Sequence, residues 1–142
     1  MKIKNYLLVG LLVLLGACTC GTKAGNIPYP TEGTVLKDIN YSYDSFALDS
    51  EATARLQSNY QWLKANPGSN VVVEGHCDER GTNEYNLVLG ANRAKAAYEY
   101  LKSLGMDANR ASTISYGEEL PLDPGHNEAA WYKNRRVHFD VQ

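Results

Sequence analysis

The hydrophobic period of this chain switches between two and 3.6 along its length, and that alternation limits the fold more than any other feature. Over residues 37–43, Ile39, Tyr41 and Tyr43 alternate with polar residues, which predicts a strand. Asp49 or Ser50 then caps a helix running to about residue 66. Its apolar stripe is Ala52, Leu56, Tyr60 and Leu63, and Asn66-Pro67-Gly68 stops it. Residues 71–76 predict a second strand, with Val71, Val73 and Gly75 on one face and Val72, Glu74 and His76 on the other. A turn over 78–82 leads into a helix over about 83–104, with Lys102 in its last turn and Gly105 as its stop. Gly90, Ala94, Ala97, Leu101 and Leu104 recur along it at helical spacing, and small residues there let a helix lie close to a sheet. Residues 112–116 predict a third strand. Asn127 caps a short helix to about residue 133, and 136–142 form a last strand with Val137, Phe139 and Val141 on one face. The order strand-helix-strand-helix-strand-helix-strand is an α/β pattern. The chain is short for a doubly wound fold, so a two-layer α+β sandwich is expected, with helices packed on one face of a four-stranded sheet.

The first 17 residues stand apart. Lys2 and Lys4 precede an apolar run over 6–15, the two leading parts of an export signal. The run falls short of the roughly 20 apolar residues that a spanning helix needs. It ends Leu15-Gly16-Ala17-Cys18, which resembles the bacterial lipobox and implies that Cys18 becomes the lipidated first residue of the mature chain. Cys20 is a poorer candidate, because Cys18 and Thr19 fill its two preceding positions. Thr19, where an aspartate would favour retention in the inner membrane, favours the outer membrane. Acyl chains anchor through about 0.8 kcal/mol per buried methylene. Residues 18–34, with Gly21, Gly25, Pro28, Pro30 and Gly33 and no apolar period, read as a flexible tether. One domain, 35–142, follows; 142 residues less a 17-residue signal can fill a single core without disulfides.

Charge excludes some partners. Setting Lys2 and Lys4 aside from the 14 basic residues leaves 12 against 16 acids, a net −4. That argues against a nucleic-acid binder, which shows a basic excess. Three cysteines match no zinc spacing, and His76, His126 and His138 are too scattered for a metal cluster, so neither metal nor cofactor is expected. His76 and Cys77 resemble a nucleophile and base, but neighbours on a strand point to opposite faces. Cys77 is expected in the core, as a small hydrophobe. No serine elbow or phosphate loop occurs, and no catalytic residue is expected. Asn134-Arg135-Arg136 reads either as a basic patch or as a solvated helix end.

The segment over 74–82, Glu-Gly-His-Cys-Asp-Glu-Arg-Gly-Thr, sits where a strand ends and a helix begins. Asp78 lies at that entrance. Asn86 and Arg93 share a helix face as i and i+7, with Leu89 between them. A carboxylate and a guanidinium at one rim suit a zwitterion, the acid taking an ammonium and the arginine a carboxylate. The spacing fits equally a salt bridge from Asp78 to Arg93 that ties turn to helix.

A longer pattern bears on that choice. Val-Glu-Gly-His-Cys-Asp-Glu-Arg-Gly-Thr (73–82), Glu-Tyr-Asn-Leu (84–87), Leu-Gly-Ala-Asn-Arg-Ala (89–94), Ser-Tyr-Gly-Glu-Glu (115–119) and Asn-Glu-Ala-Ala-Trp-Tyr-Lys-Asn-Arg-Arg-Val (127–137) follow one another in order. Together with the lipobox they resemble the peptidoglycan-associated lipoproteins, OmpA-like domains carried on a lipid anchor. The resemblance covers roughly residues 38–142. It implies a mixed four-stranded sheet and a non-enzymatic binder of the peptidoglycan stem peptide, chiefly its diaminopimelate. Position by position, Asp78 and Arg93 match the clamp on the zwitterion. Thr82, Asn86 and Leu89 match other pocket residues, with Glu79 beside them. It further implies TolB and other Tol proteins as partners in cell division and envelope integrity, and an outer-membrane location with the domain in the periplasm. Two positions depart from the pattern. Tyr41-Ser42-Tyr43-Asp44 replaces the usual Phe-Asp-Phe-Asp, so Ser42 stands where an acid is common. Cys77 stands where alanine or threonine is common, and a disulfide to Cys20 is within reach of the tether. A periplasmic module whose main ligand is another protein is the competing reading.

Overall fold

The structure, a computed structural model, describes residues 35–142. The expected signal over 1–17, the lipidated Cys18, Cys20 and the tether over 18–34 lie outside the described residues.

Three of the helix boundaries follow from the capping chemistry that the sequence displays. Asp49 accepts from the Ala52 amide at 2.8 Å and opens α1, Ser50–Ala65. Thr82 accepts from the Tyr85 amide at 3.2 Å and opens α2, Asn83–Ser103. Asn127 accepts from the Ala130 amide at 3.0 Å and opens α3, Glu128–Asn134. The strands are β1 (Ile39–Asn40), β2 (Val71–His76), β3 (Ala111–Gly117) and β4 (Arg136–Val141), and a 3-10 turn, Ala108–Arg110, leads into β3. They form one sheet in the order β1-β4-β2-β3. β4 runs antiparallel to both neighbours, while β2 and β3 are parallel, joined through α2. The sheet is mixed, as expected, and α1 and α2 pack on the same layer against it. No helix among the described residues is long and apolar enough to cross a membrane.

The core lies between these layers. Val71 and Val73 of β2 and Val137 and Phe139 of β4 meet Leu56 and Leu63 of α1 and Ala94, Ala97 and Leu101 of α2. α2 approaches β2 so closely that a Cβ on Gly75 would lie 1.8 Å from the Gly90 carbonyl oxygen. The small-residue stripe of α2 thus does what its spacing predicts.

Some expectations are corrected. β1 spans two residues, not 37–43. Ile39 and Tyr41 are buried on schedule, but Tyr43 is exposed. The strand stops because the carbonyls of Ser42 and Ser45 turn toward Arg93 (3.2 and 2.8 Å) instead of a neighbouring strand, and Asp44 adopts a φ of 50°. Asn59 joins the buried stripe of α1, exchanging two 2.8 Å hydrogen bonds with the backbone of Lys37. Leu104 is half-buried, and Met106 fills the core beyond α2. Asn134, Arg135 and Arg136 form neither a basic patch nor a solvated helix end, for all three are buried. Asn134 pins the loop before α3, accepting from the amides of Leu122 and Asp123 and donating to the Asp123 carbonyl.

The other face of the sheet holds a polar cluster beside Val72 and Ile114. It carries Glu74 and His76 of β2, Arg136 and His138 of β4, and Tyr116 of β3. His76 is buried there and stacks on Tyr116 at 5.4 Å between ring centroids. Burial lowers its pKa by penalising the imidazolium. His138 instead has its Nδ1 2.7 Å from the Asp38 carboxylate, which raises its pKa.

Candidate functional site

At the C-terminal end of β2 the chain must turn sharply to enter α2, and this turn builds a pocket. Gly81, at φ 114°, supplies a backbone conformation that other residues rarely adopt. Asn86, buried on the first turns of α2, donates back to the carbonyls of Asp78 and Arg80 at 3.2 Å each, fixing the turn from inside. The resulting cavity of about 220 Å³ is lined by the turn, by one face of α2 and by residues that follow β1.

Of the residues singled out from sequence, the fold brings Asp78, Asn86, Leu89 and Arg93 together on this cavity. Thr82 and Glu79 fall outside its lining. Thr82 spends its hydroxyl on the N-cap of α2. Glu79 points the other way, its carboxylate held by Trp131 Nε1 at 2.9 Å and His126 Nδ1 at 2.8 Å, both of which lower its pKa. It lines a second cavity of about 380 Å³ with Glu118, Asp123 and His126. Cys77 borders both cavities.

Asp78 and Arg93 are not joined by an ion pair or hydrogen bond among the described residues, so the tie between turn and helix suggested by their spacing is not made. Each has its own partners. Asp78 takes a fork from Arg80, with Nε at 3.1 Å and Nη2 at 2.7 Å, and the Arg80 amide at 3.0 Å. Arg135 Nη1 adds a fourth bond at 3.0 Å. Burial by itself would raise the carboxyl pKa, but these bonds from Arg80 and Arg135 outweigh it and hold the pKa low. Arg93 has no exposed surface. It donates to three backbone carbonyls: Ser45 at 2.8 Å, His76 at 2.9 Å and Ser42 at 3.2 Å. Its guanidinium also lies 5.2 Å from the Tyr41 ring centroid. Burial lowers its pKa, yet an arginine stays charged in any accessible range. Among the described residues no carboxylate pairs with it, so the pocket floor carries a fixed positive charge.

Cys77 is a free, buried thiol on that floor. Its Sγ donates to the Asn86 carbonyl at 3.3 Å and accepts from Arg93 Nη1 at 3.4 Å. Burial pushes its pKa up to about 11, which leaves it protonated and unreactive.

Sequence reasoning missed Tyr43, Asp44, Arg80, Gly81, Tyr85 and Arg135 as lining residues. Ser42 turns its carbonyl to Arg93, and the acid that the segment after β1 brings to the pocket is Asp44, bonded to the Tyr85 hydroxyl. Arg80 stood in plain view, two residues after Asp78 in a turn that folds side chain onto side chain. Arg135 lies 57 residues from Asp78 and gave no local signal.

The profile of the OmpA family matches residues 40–135, which include the turn, α2 and α3. The peptidoglycan-associated lipoprotein of Pasteurella multocida is 39% identical over 94% of this chain and 94% of its own length. That of Pseudomonas putida is 47% identical over 82% of this chain and 70% of its own. Among solved structures, the peptidoglycan-associated lipoprotein from Burkholderia pseudomallei superposes with a TM-score of 0.71 at 38% identity, covering 74% of this chain and 89% of that one. The C-terminal domain of Helicobacter pylori MotB shares the fold, with a TM-score of 0.70 at 21% identity, 75% of this chain and 84% of its own being covered. A mixed sheet in the order found here, a capped α2 lying against β2, and sequence matches over nearly the whole chain converge on one assignment: this chain belongs to the OmpA family.

Proposed function

We propose that this chain is an outer-membrane lipoprotein that binds peptidoglycan non-covalently, with a signal over 1–17, a lipid anchor at Cys18, a tether over 18–34 and a periplasmic binding domain over 35–142. The observation that carries this reading is the charge layout of the 220 Å³ pocket, with the Asp78 carboxylate on one side and the buried Arg93 guanidinium beneath its floor. A zwitterion matches that layout, and the diaminopimelate of the stem peptide supplies one: an ammonium for Asp78 and a carboxylate for Arg93. Asn86 and Leu89 complete the wall, the first fixing the turn and the second offering apolar contact. Thr82 acts through the helix cap it makes, and Glu79 stands beside the pocket. The names of the Pasteurella and Burkholderia relatives support peptidoglycan as the polymer. The chain acts as a binding module, with no covalent step, and works with TolB and other Tol proteins in cell division and envelope integrity.

Co-sedimentation with purified sacculi tests the reading. The wild-type chain pellets with them, and Asp78→Asn, which melts lower because Arg80 and Arg135 lose their carboxylate but keeps a native circular dichroism spectrum, stays in the supernatant. Equal pelleting of the two proteins would remove Asp78 from the binding site.

A further inference from the structure

The Asp78 carboxylate has no acceptor site left to offer. Its Oδ1 takes the Arg80 amide and Arg80 Nε, and its Oδ2 takes Arg80 Nη2 and Arg135 Nη1. Two oxygens accept about four hydrogen bonds, and four are made. An ammonium arriving at Asp78 therefore has to displace one of the two guanidinium groups.

The two differ in how firmly they are held. Arg135 is 4% exposed at its side chain and is tied as well to the Tyr41 carbonyl at 3.0 Å and to Glu128 at 2.6 Å. Arg80 is 31% exposed, and among the described residues its side chain donates hydrogen bonds only to Asp78. Arg80 also has somewhere to go. Its guanidinium lies between the rings of Tyr43 and Trp131, 4.1 and 4.3 Å from their centroids, and Nη2 is 3.8 Å from Glu128 Oε2. A rotation within this aromatic slot exchanges one carboxylate for another without giving up either ring.

We propose that Arg80 is the pocket's built-in occupant: its guanidinium fills the place that a ligand ammonium takes at Asp78, and binding proceeds by its release toward Glu128. This rests on the reading above that Asp78 receives the ammonium. Arg80 then sets both affinity and selectivity. Only a cation able to compete for Asp78 opens the pocket, and the apparent affinity is the intrinsic one reduced by the fraction of molecules in which Arg80 has swung away.

The test titrates a stem tripeptide, L-alanyl-γ-D-glutamyl-diaminopimelate, into the full-length protein by calorimetry, beside the same peptide with its free side-chain amine acetylated. Arg80→Gln removes the competitor and binds the free-amine peptide about tenfold tighter than wild type, or about 1.4 kcal/mol. The acetylated peptide shows no such gain. Arg80→Lys keeps the charge but loses the fork, and gains less. Glu128→Gln removes the receiving carboxylate, so it weakens binding more in the wild-type background than in Arg80→Gln, where only its bond to Arg135 is lost. If Arg80→Gln binds no tighter than wild type while Asp78→Asn abolishes binding, Arg80 is a strut of the turn and the proposal fails. If Asp78→Asn binds like wild type, the underlying reading of the pocket fails, whatever Arg80 does.

Discussion

Gly75 and Gly90 face each other across the junction of β2 and α2 with no room for a side chain on either. A Cβ on Gly75 would sit 1.8 Å from the Gly90 oxygen, and one on Gly90 would sit 2.3 Å from Ser115 Oγ. The contact lies one turn of α2 before Arg93 and two residues before Cys77, so it sets the depth of the pocket floor. Gly75→Ala is expected to cost about 3 kcal/mol or more. That is the upper end for overpacking, because the obstacle is backbone and cannot rotate away. Gly90→Ala costs less, since the Ser115 hydroxyl can turn. Urea denaturation of the two variants checks the order.

Whatever its effect on the proposed binding, Arg93→Ala is expected to destabilise the domain. Three carbonyls, from Ser42, Ser45 and His76, lose a charged donor in a buried setting. Hydrogen bonds to charged groups contribute about 1.5–3 kcal/mol each, so a loss of about 3 kcal/mol or more is expected. Arg93→Lys recovers only part of it, since one ammonium cannot reach three acceptors set around a planar fork. Thermal melting gives the ranking wild type, Lys, Ala; equal melting temperatures would show that Arg93 holds nothing together.

Stability should pass through a maximum near neutral pH, with a different histidine on each side. His76 is buried, which lowers its folded pKa, so its contribution is complete above about pH 6.5 and is lost as pH falls toward the folded value. His138 beside Asp38 has a raised pKa, so its contribution is complete below about pH 6.5 and is lost as pH rises through the folded value. His138→Gln flattens the alkaline side and His76→Gln the acid side. Melting temperatures between pH 5 and 9 read both, and a variant that flattens the wrong side refutes its assignment.

Cys77 in the folded protein should resist alkylation. With a pKa of about 11 the thiolate fraction at pH 8 is about one in a thousand, and the sulfur is buried. Iodoacetamide should label it only after unfolding. Cys77→Ala should leave ligand binding intact and cost about 1 kcal/mol, the common size for a point change.

The helices were legible because their caps are local. Asp49, Thr82 and Asn127 each sit three residues before the amide they bind. One wall of the pocket was legible for the same reason: Asn86, Leu89 and Arg93 share a helical face. What stayed hidden depends on contacts distant in the chain. The length of β1 is decided by Arg93, some 50 residues on, which draws the Ser42 and Ser45 carbonyls out of strand geometry. Arg135 reads as part of a basic patch or of a solvated helix end because nothing nearby announces its partners Asp78 and Tyr41. The spacing of Asp78 and Arg93 suggested a pair; the fold instead gives each its own set of bonds and leaves a cavity at their meeting point.

The segment leaving β1 is gripped from two sides by side chains that line the pocket. Arg93 holds Ser42 and Ser45, and Arg135 holds the Tyr41 carbonyl through Nε while its own carbonyl receives the Tyr41 amide at 3.0 Å. A pull on the chain ahead of residue 35, opposed by a ligand seated in the pocket, therefore travels a short mechanical path. It passes the tie from Lys37 to Asn59 of α1, runs along β1 into Tyr41, and crosses to the guanidinium groups of Arg135 and of Arg93, the latter a residue of α2. Tension from the N-terminal side and occupancy of the pocket therefore act on the same hydrogen bonds, those from Arg93 and Arg135 to the segment after β1.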